Sequence, residues 1–157
     1  MLLACFLASG IAVSGVAAQS AHTPPSAQTT APHSPYKPNH VPKREAEYFG
    51  MVWGVDSLNV KAVESGELIR FSYRILNPEK AKILNDKKTE AFLVSPAYSV
   101  RLVIPSLEKV GQLRQTNAPE AGRSYWMAFS NPRRTVKRGD HVNVDIGQFH
   151  VSGLVVE

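Results

Sequence analysis

The chain has 157 residues, of which 20% are charged, and it carries a formal net charge of +5 at pH 7 and a single cysteine. A lone cysteine excludes a disulfide framework, a CxxC redox motif and a site built from several thiolates. Because Cys5 lies in a segment that we predict to be removed on export, we expect the mature protein to contain no thiol.

The first 18 residues are apolar or small, and the first charged residue of the chain is Lys37. The run ends in Val16-Ala17-Ala18, small residues of the kind that a signal peptidase reads. We therefore predict a signal peptide at 1–18 and a periplasmic or secreted protein. No basic residue precedes the apolar run, which leaves two alternatives: a true start upstream, or an uncleaved segment that anchors the protein in the membrane.

Residues 19–44 are rich in Pro, Ser, Thr and Ala and contain almost no large aliphatic side chain. Such a composition buries too little apolar surface to offset the entropy lost on ordering. We predict a disordered tether with polyproline character over 19–44, followed by a single β domain at 45–157, which is long enough for one core.

The first strands are predicted from alternation. Phe71 and Tyr73 alternate with the polar residues Arg70, Ser72 and Arg74, and this period of two is typical of a half-buried strand. A shorter alternating run at 58–62 precedes it, and Ser65-Gly66 supplies a turn between them. The two runs therefore predict a β-hairpin.

A short helix and three strands are predicted next. Asn77-Pro78 offers a capping side chain and a proline suited to the first helical position, which predicts one or two helical turns over 80–85. A long connection at 105–122 is indicated by proline, glycine and polar residues. The predicted strands of this part of the chain are 91–94, 100–104 and 125–130.

The C-terminus predicts a second hairpin. Apolar and polar residues alternate over 141–146, and Gly147-Gln148 turns the chain. Phe149, Val151, Gly153 and Val155 are predicted to return on the apolar face. Short antiparallel strands with one short helix favour an all-β fold, an immunoglobulin-like antiparallel β-sandwich.

Four strings of the β domain resemble a family of small exported bacterial proteins. They are RFSYRILNPEKA at 70–81, VGQLR at 110–114, YWMAFSNP at 125–132 and VKRGD at 136–140. The resemblance covers the β domain and none of the tether. It implies a bacterial protein located in the envelope and supplies no catalytic residue.

The C-terminal hairpin carries the only candidate metal ligands that we single out. A two-residue turn places Asp145 opposite His150, and His141 shares their face of the hairpin. Two imidazoles and a carboxylate suit Cu(II) or Zn(II). His141 is two cross-strand steps from His150, however, so a solvated polar face explains the same residues, and we predict no cofactor.

Enzymatic motifs are missing from the sequence. It contains no GxSxG, HExxH or SxxK motif, and its acidic residues are scattered. We therefore predict a protein that is not an enzyme.

The basic segment 114–138 indicates an anionic partner. Within it Glu120 is the acidic residue that opposes the cations, and no aromatic stacking motif interleaves them, which argues against nucleic acid. A solubilising edge explains the charge equally well. The cations are Arg123, Arg133, Arg134, Lys137 and Arg138.

Taken with export, these features predict a non-enzymatic binding or accessory protein of the bacterial envelope that recognises a protein partner through its β-sandwich. A periplasmic copper or zinc protein using His141, Asp145 and His150 is the alternative.

Overall fold

A computed structural model describes residues 42–157 of the chain, which are mostly antiparallel β-structure with two helices. The predicted signal peptide at 1–18 lies outside the described residues, as does nearly all of the predicted tether. No helix within 42–157 has the length and apolar character needed to span a bilayer. The elements are α1 (Lys43–Trp53), β1 (Val55–Val63), β2 (Leu68–Ile75), α2 (Pro78–Asn85), β3 (Ala91–Ser95), β4 (Val100–Val103), β5 (Ser106–Leu107), β6 (Gly111–Gln112), β7 (Ser124–Ser130), β8 (His141–Ile146) and β9 (Phe149–Val155).

The strands form two main sheets and one short ribbon. One sheet has the order β1-β2-β7, the other has the order β4-β3-β8-β9, and β5 pairs with β6. All pairs of named strands are antiparallel. A parallel bridge between Val60 and Val156 connects β1 to the residues that follow β9. Buried side chains of both sheets belong to one continuous core, which is compatible with the predicted all-β sandwich.

Strand β2 confirms the predicted alternation. Phe71 and Tyr73 are 0% and 1% exposed, whereas Arg70 and Arg74 on the opposite face are exposed. The Phe71 ring packs against the rings of Tyr73 and Phe149, with centroids 5.6 and 6.3 Å apart. Because β2 lies between β1 and β7, its apolar face forms the centre of the core.

The expectation of a single short helix is wrong, because α1 precedes β1. Its buried residue is Phe49, which packs on Phe149 together with Trp53. Pro42 at its N-cap provides no capping side chain, so the usual signal for a helix start is missing. Packing of the two aromatic rings on β9 therefore stabilises a helix that has a weak local signal.

The predicted helix after Asn77 is present as α2. The Asn77 side chain accepts hydrogen bonds from the backbone N–H groups of Glu79 and Lys80, at 3.0 and 3.3 Å. Gly54, which ends α1 at a φ of 64°, lies against this cap. A Cβ at Gly54 would be 2.7 Å from the carbonyl oxygen of Asn77, so both the conformation and the close approach require glycine.

The C-terminal hairpin has the predicted turn at Gly147-Gln148. Phe149 and Val151 are buried, as predicted. Beyond Val151 the prediction that Gly153 and Val155 lie on the apolar face is wrong, since Gly153 is exposed and Leu154 and Val156 are buried instead. The register shifts between Val142 and Val144. Gly153 adopts a φ of 72°, which forms a bulge and reverses the alternation after it.

Candidate functional site

The structure divides the predicted basic surface into two parts. Arg133, Arg134, Lys137 and Arg138 lie in the loop between β7 and β8, and all four are exposed. Arg123 precedes β7 at its other end. The seven residues of β7 separate the two positions by about 20 Å at the rise of an extended strand. Arg123 therefore does not join the other cations in one binding surface.

Two loops meet where the four clustered cations lie, and we call this region the loop end. It consists of the β1–β2 turn, residues 64–67, and the first part of the β7–β8 loop, residues 131–138. The two loops are joined by the backbone hydrogen bond from the Asn131 N–H to the Glu67 carbonyl, at 2.8 Å, and by an ion pair between Arg134 and Glu67, at 3.2 Å.

The buried side chain of Asn131 holds the loop end together. Asn131 is 1% exposed. Its Nδ2 donates to the carbonyl oxygens of Gly66 and Val136, both at 2.8 Å, and its Oδ1 accepts the Val136 N–H at 3.0 Å. One amide thus connects both loops and satisfies three backbone groups, two of them buried and one partly buried.

The backbone of the loop end is strained at four residues. Glu64 and Ser65 have φ values of 47° and 54°, and Arg133 and Arg134 have values of 59° and 52°. Residues with a Cβ adopt this left-handed region at a cost of about 1 to 2 kcal/mol each. Such conformations persist where the surroundings hold them, and they are frequent at binding sites.

Two neighbouring open cavities border the loop end and share Arg134. The larger, of about 770 Å³, is lined by apolar side chains and by both acidic and basic residues. The smaller, of about 440 Å³, is lined by three cations and no acidic residue. The larger cavity is lined by Glu64, Glu67, Leu68, Pro105, Leu107, Leu113, Ser130, Asn131, Pro132, Arg133 and Arg134. The smaller is lined by Ala62, Ser65, Gly66, Arg134, Val136, Lys137 and Arg138.

Positive charge exceeds negative charge at the loop end, where four cations face Glu64 and Glu67. Within residues 42–157, Arg134 has Glu67 as its ion-pair partner, whereas Arg133, Lys137 and Arg138 form no ion pair. The Asp140 carboxylate accepts a hydrogen bond from the backbone N–H of Lys137 at 2.7 Å. This bond involves the Lys137 backbone, so the carboxylate does not pair with the Lys137 ammonium group. The surface is thus complementary to negative charge.

Only two of the three predicted metal ligands come together. Asp145 and His150 are cross-strand partners, and the carboxylate contacts His150 Nδ1. His141 pairs with Val155 instead. It precedes Asp145 by four residues along β8, which is about 13 Å at the rise of an extended strand. Among residues 42–157, no three His, Cys, Asp or Glu side chains are arranged to hold a metal ion.

One buried cation was missed by the sequence analysis. Arg114 is 8% exposed. Its Nη1 donates to the Thr89 carbonyl at 2.8 Å and its Nη2 to the Leu84 carbonyl at 3.0 Å, in the last turn of α2. Desolvation by burial lowers the pKa of Arg114. The sequence gives no signal for this burial, because Arg114 lies in a polar connection between strands.

A buried hydrogen-bond network lies beside Arg114. The Tyr73 hydroxyl donates to Asn85 Oδ1 at 2.8 Å, and Asn85 Nδ2 donates to the Asn117 carbonyl at 3.0 Å. Burial raises the pKa of Tyr73 well above its ordinary value. The network fastens the end of α2 to the long connection that precedes β7.

The chain matches no protein-family model, no curated protein and no solved structure.

Proposed function

We propose that the protein is an exported, non-enzymatic binding protein of the bacterial envelope, and that an immunoglobulin-like sandwich presents the loop end to a protein partner. The observation that carries this proposal is the pair of neighbouring cavities beside the buried Asn131: the larger is lined by leucine and proline side chains together with charges of both signs, and the smaller is lined by three cations and no acidic residue. The apolar run at 1–18 supports export.

The strand arrangement supports the immunoglobulin-like assignment. The three-stranded β1-β2-β7 sheet and the four-stranded β4-β3-β8-β9 sheet share one core. Immunoglobulin-like domains place their loops at the two ends of the sandwich, where they are available for recognition. The loop end combines a turn from the first hairpin with a loop that crosses from one sheet to the other.

The chemistry of the loop end suits a protein partner with acidic residues. Leu68, Leu107 and Leu113 provide apolar area in the larger cavity, and the smaller cavity supplies positive charge. An interface of this kind gains affinity from the apolar contacts and association rate from the charges. A copper or zinc site on the hairpin has less support, because His141 lies far from Asp145 and His150.

Site-directed photo-crosslinking in the envelope tests the proposal. A photoreactive amino acid at position 133 should yield a specific protein adduct, and the same residue at position 123 should not. Arg133 and Arg123 are both exposed arginines that flank β7, so they form a matched pair. Adducts of equal yield and size at both positions would contradict recognition through the loop end.

Charge reversal provides a second test with its own control. Arg134→Glu should weaken partner binding by about tenfold or more, because it removes a cation that both cavities share. Arg123→Glu is the control, since Arg123 is 54% exposed and pairs with Glu120, much as Arg134 is 57% exposed and pairs with Glu67. Equal losses in the two variants would mean that net charge, rather than the loop end, determines binding.

A further inference from the structure

Arg114 carries a buried charge that its surroundings only partly compensate. Buried guanidinium groups ordinarily pair with a carboxylate. Within the described residues, Arg114 has no carboxylate within ion-pair distance, and its Nε–H has no hydrogen-bond partner. Asp86 only partly offsets the lowering of the pKa of Arg114 that burial causes, and its Oδ1 accepts the Lys88 N–H. Arg114 borders two cavities; Glu90 lines one of them without pairing with Arg114, and the other has no acidic residue in its lining.

The two hydrogen bonds that Arg114 makes explain part of its role. Both go to backbone carbonyl groups, one of them in the last turn of α2, where a cation is favourable to the helix dipole. They use two of the five N–H donors of the guanidinium group. Each terminal nitrogen keeps a second hydrogen, so holding α2 does not exhaust the donors.

An open cavity of about 370 Å³ adjoins Arg114 on the side of the β5–β6 ribbon. Its polar side chains can all donate hydrogen bonds: besides the guanidinium group of Arg114, the ammonium group of Lys87, the amide of Gln112 and the hydroxyl groups of Ser106 and Thr116 line it. No acidic residue lines it. The described chain thus places two cations and three neutral donor groups around one space without a counter-charge.

We propose that this cavity is a binding site for a small oxyanion with two negative charges, either a dicarboxylate or a phosphate group. Guanidinium and ammonium groups recognise both kinds of oxyanion, and a charge of −2 matches Arg114 together with Lys87. The site is separate from the loop end, because none of its lining residues lines either loop-end cavity.

Titration of the full chain with succinate and, separately, with inorganic phosphate tests the site, with sodium chloride at matched ionic strength as the control. Backbone amide NMR shifts of Gly111 and Gln112 report on the cavity. We expect saturable shifts with at least one of the two anions and none with chloride. Saturation by succinate alone identifies a carboxylate ligand, and saturation by phosphate alone identifies a phosphate-type ligand.

A pair of neighbouring lysines provides matched variants. Lys87 lines the cavity and Lys88 does not, and both are exposed. Lys87→Gln should weaken anion binding by about tenfold, and Lys88→Gln, which removes the same charge, should leave it within about twofold. Non-saturable shifts with both anions, or equal losses in the two variants, would overturn the site.

The role of Arg114 is tested separately. Arg114→Lys keeps the charge but loses the planar fork of donors, so it should also weaken anion binding by about tenfold. A folded Arg114→Lys protein that binds as tightly as the wild type would refute the assignment. Since Arg114 also holds α2, thermal unfolding of the Arg114→Lys variant is measured first. If this variant does not fold, the comparison of Lys87→Gln with Lys88→Gln tests the site instead.

Discussion

Asn131→Ala is the most informative single change, because it removes the side chain that connects the two loops of the loop end. The substitution deletes both donated bonds and the accepted bond of the amide while keeping the backbone bond to Glu67. It leaves the carbonyl groups of Gly66 and Val136 and the N–H of Val136 without their partner. We expect both lower stability and weaker binding by the loop end.

The expected loss of stability follows from the three lost bonds and the burial of the site. Asn131 is 1% exposed, and its two bonds to Val136 are buried, so their loss leaves buried backbone groups unpaired. A typical hydrogen bond contributes about 1 kcal/mol, and a buried group left unpaired costs about 1 to 3 kcal/mol. Three groups at about 1 kcal/mol or more each give an estimate of at least about 3 kcal/mol, a large part of the stability of an ordinary domain, which is about 5 to 15 kcal/mol.

Urea unfolding followed by tryptophan fluorescence measures this loss. Asn143→Ala is the matched control, because the Asn143 side chain accepts one exposed hydrogen bond, from the Gly153 N–H at 3.0 Å. We expect it to cost less than about 1 kcal/mol. Asn131→Asp should be as damaging as the alanine variant, since it replaces the donating nitrogen with an acceptor that faces two carbonyl oxygens.

The refuting result is a small effect at position 131. If Asn131→Ala and Asn143→Ala lose similar free energies of unfolding, the amide does not hold the loops. If Asn131→Ala is strongly destabilised yet binds its partner with unchanged affinity, the fixed geometry of the loop end is not required for recognition.

Three further predictions concern the core, an ion pair and processing. Phe71→Ala should lower the free energy of unfolding by about 3 to 5 kcal/mol, and Arg74→Ala by less than about 1 kcal/mol; near-equal losses in denaturant titrations would contradict a half-buried strand. The hydrogen bond from Arg74 lowers the pKa of Asp56. The stabilising effect of the Asp56–Arg74 ion pair is therefore present above the pKa of Asp56 in the unfolded chain, about 3.9. It is lost as the pH falls through the lower pKa of Asp56 in the folded protein. Asp56→Asn should accordingly cost about 0.2 to 1 kcal/mol at neutral pH and nothing in strong acid, and a cost that does not change with pH would refute the ion-pair explanation. Intact-mass measurement of envelope-purified protein should reveal loss of residues 1–18, and a full-length species in the membrane fraction would favour the anchor.

Local sequence signals determined the hairpins and α2. In β2 the period of two is set by the pleat of the strand itself, so alternation alone identified Phe71 and Tyr73 as core residues. The cap at Asn77 uses a side chain and backbone groups within three residues of each other, so it too could be recognised from the sequence. The Asp145–His150 pair followed from the length of the turn.

Long-range packing decided the remainder. Helix α1 depends on Phe49 and Trp53 packing on Phe149, about a hundred residues further along the chain, and no local cap announces it. The phase change at Gly153 depends on a bulge against Asn143.

The candidate sites were likewise decided by tertiary structure. The sequence supplied the cations, and the strand predicted at 125–130 already separates Arg123 from the others. Only the tertiary structure brings the β1–β2 turn against the β7–β8 loop, through the Asn131–Glu67 and Arg134–Glu67 contacts. The residues next to Arg114 in the sequence are those of an ordinary solvated loop. Arg114 becomes a buried charge because the long connection folds against the end of α2. Composition and periodicity report on the chain's immediate neighbourhood, whereas charge pairing and burial depend on segments that meet only when the two sheets close on one core.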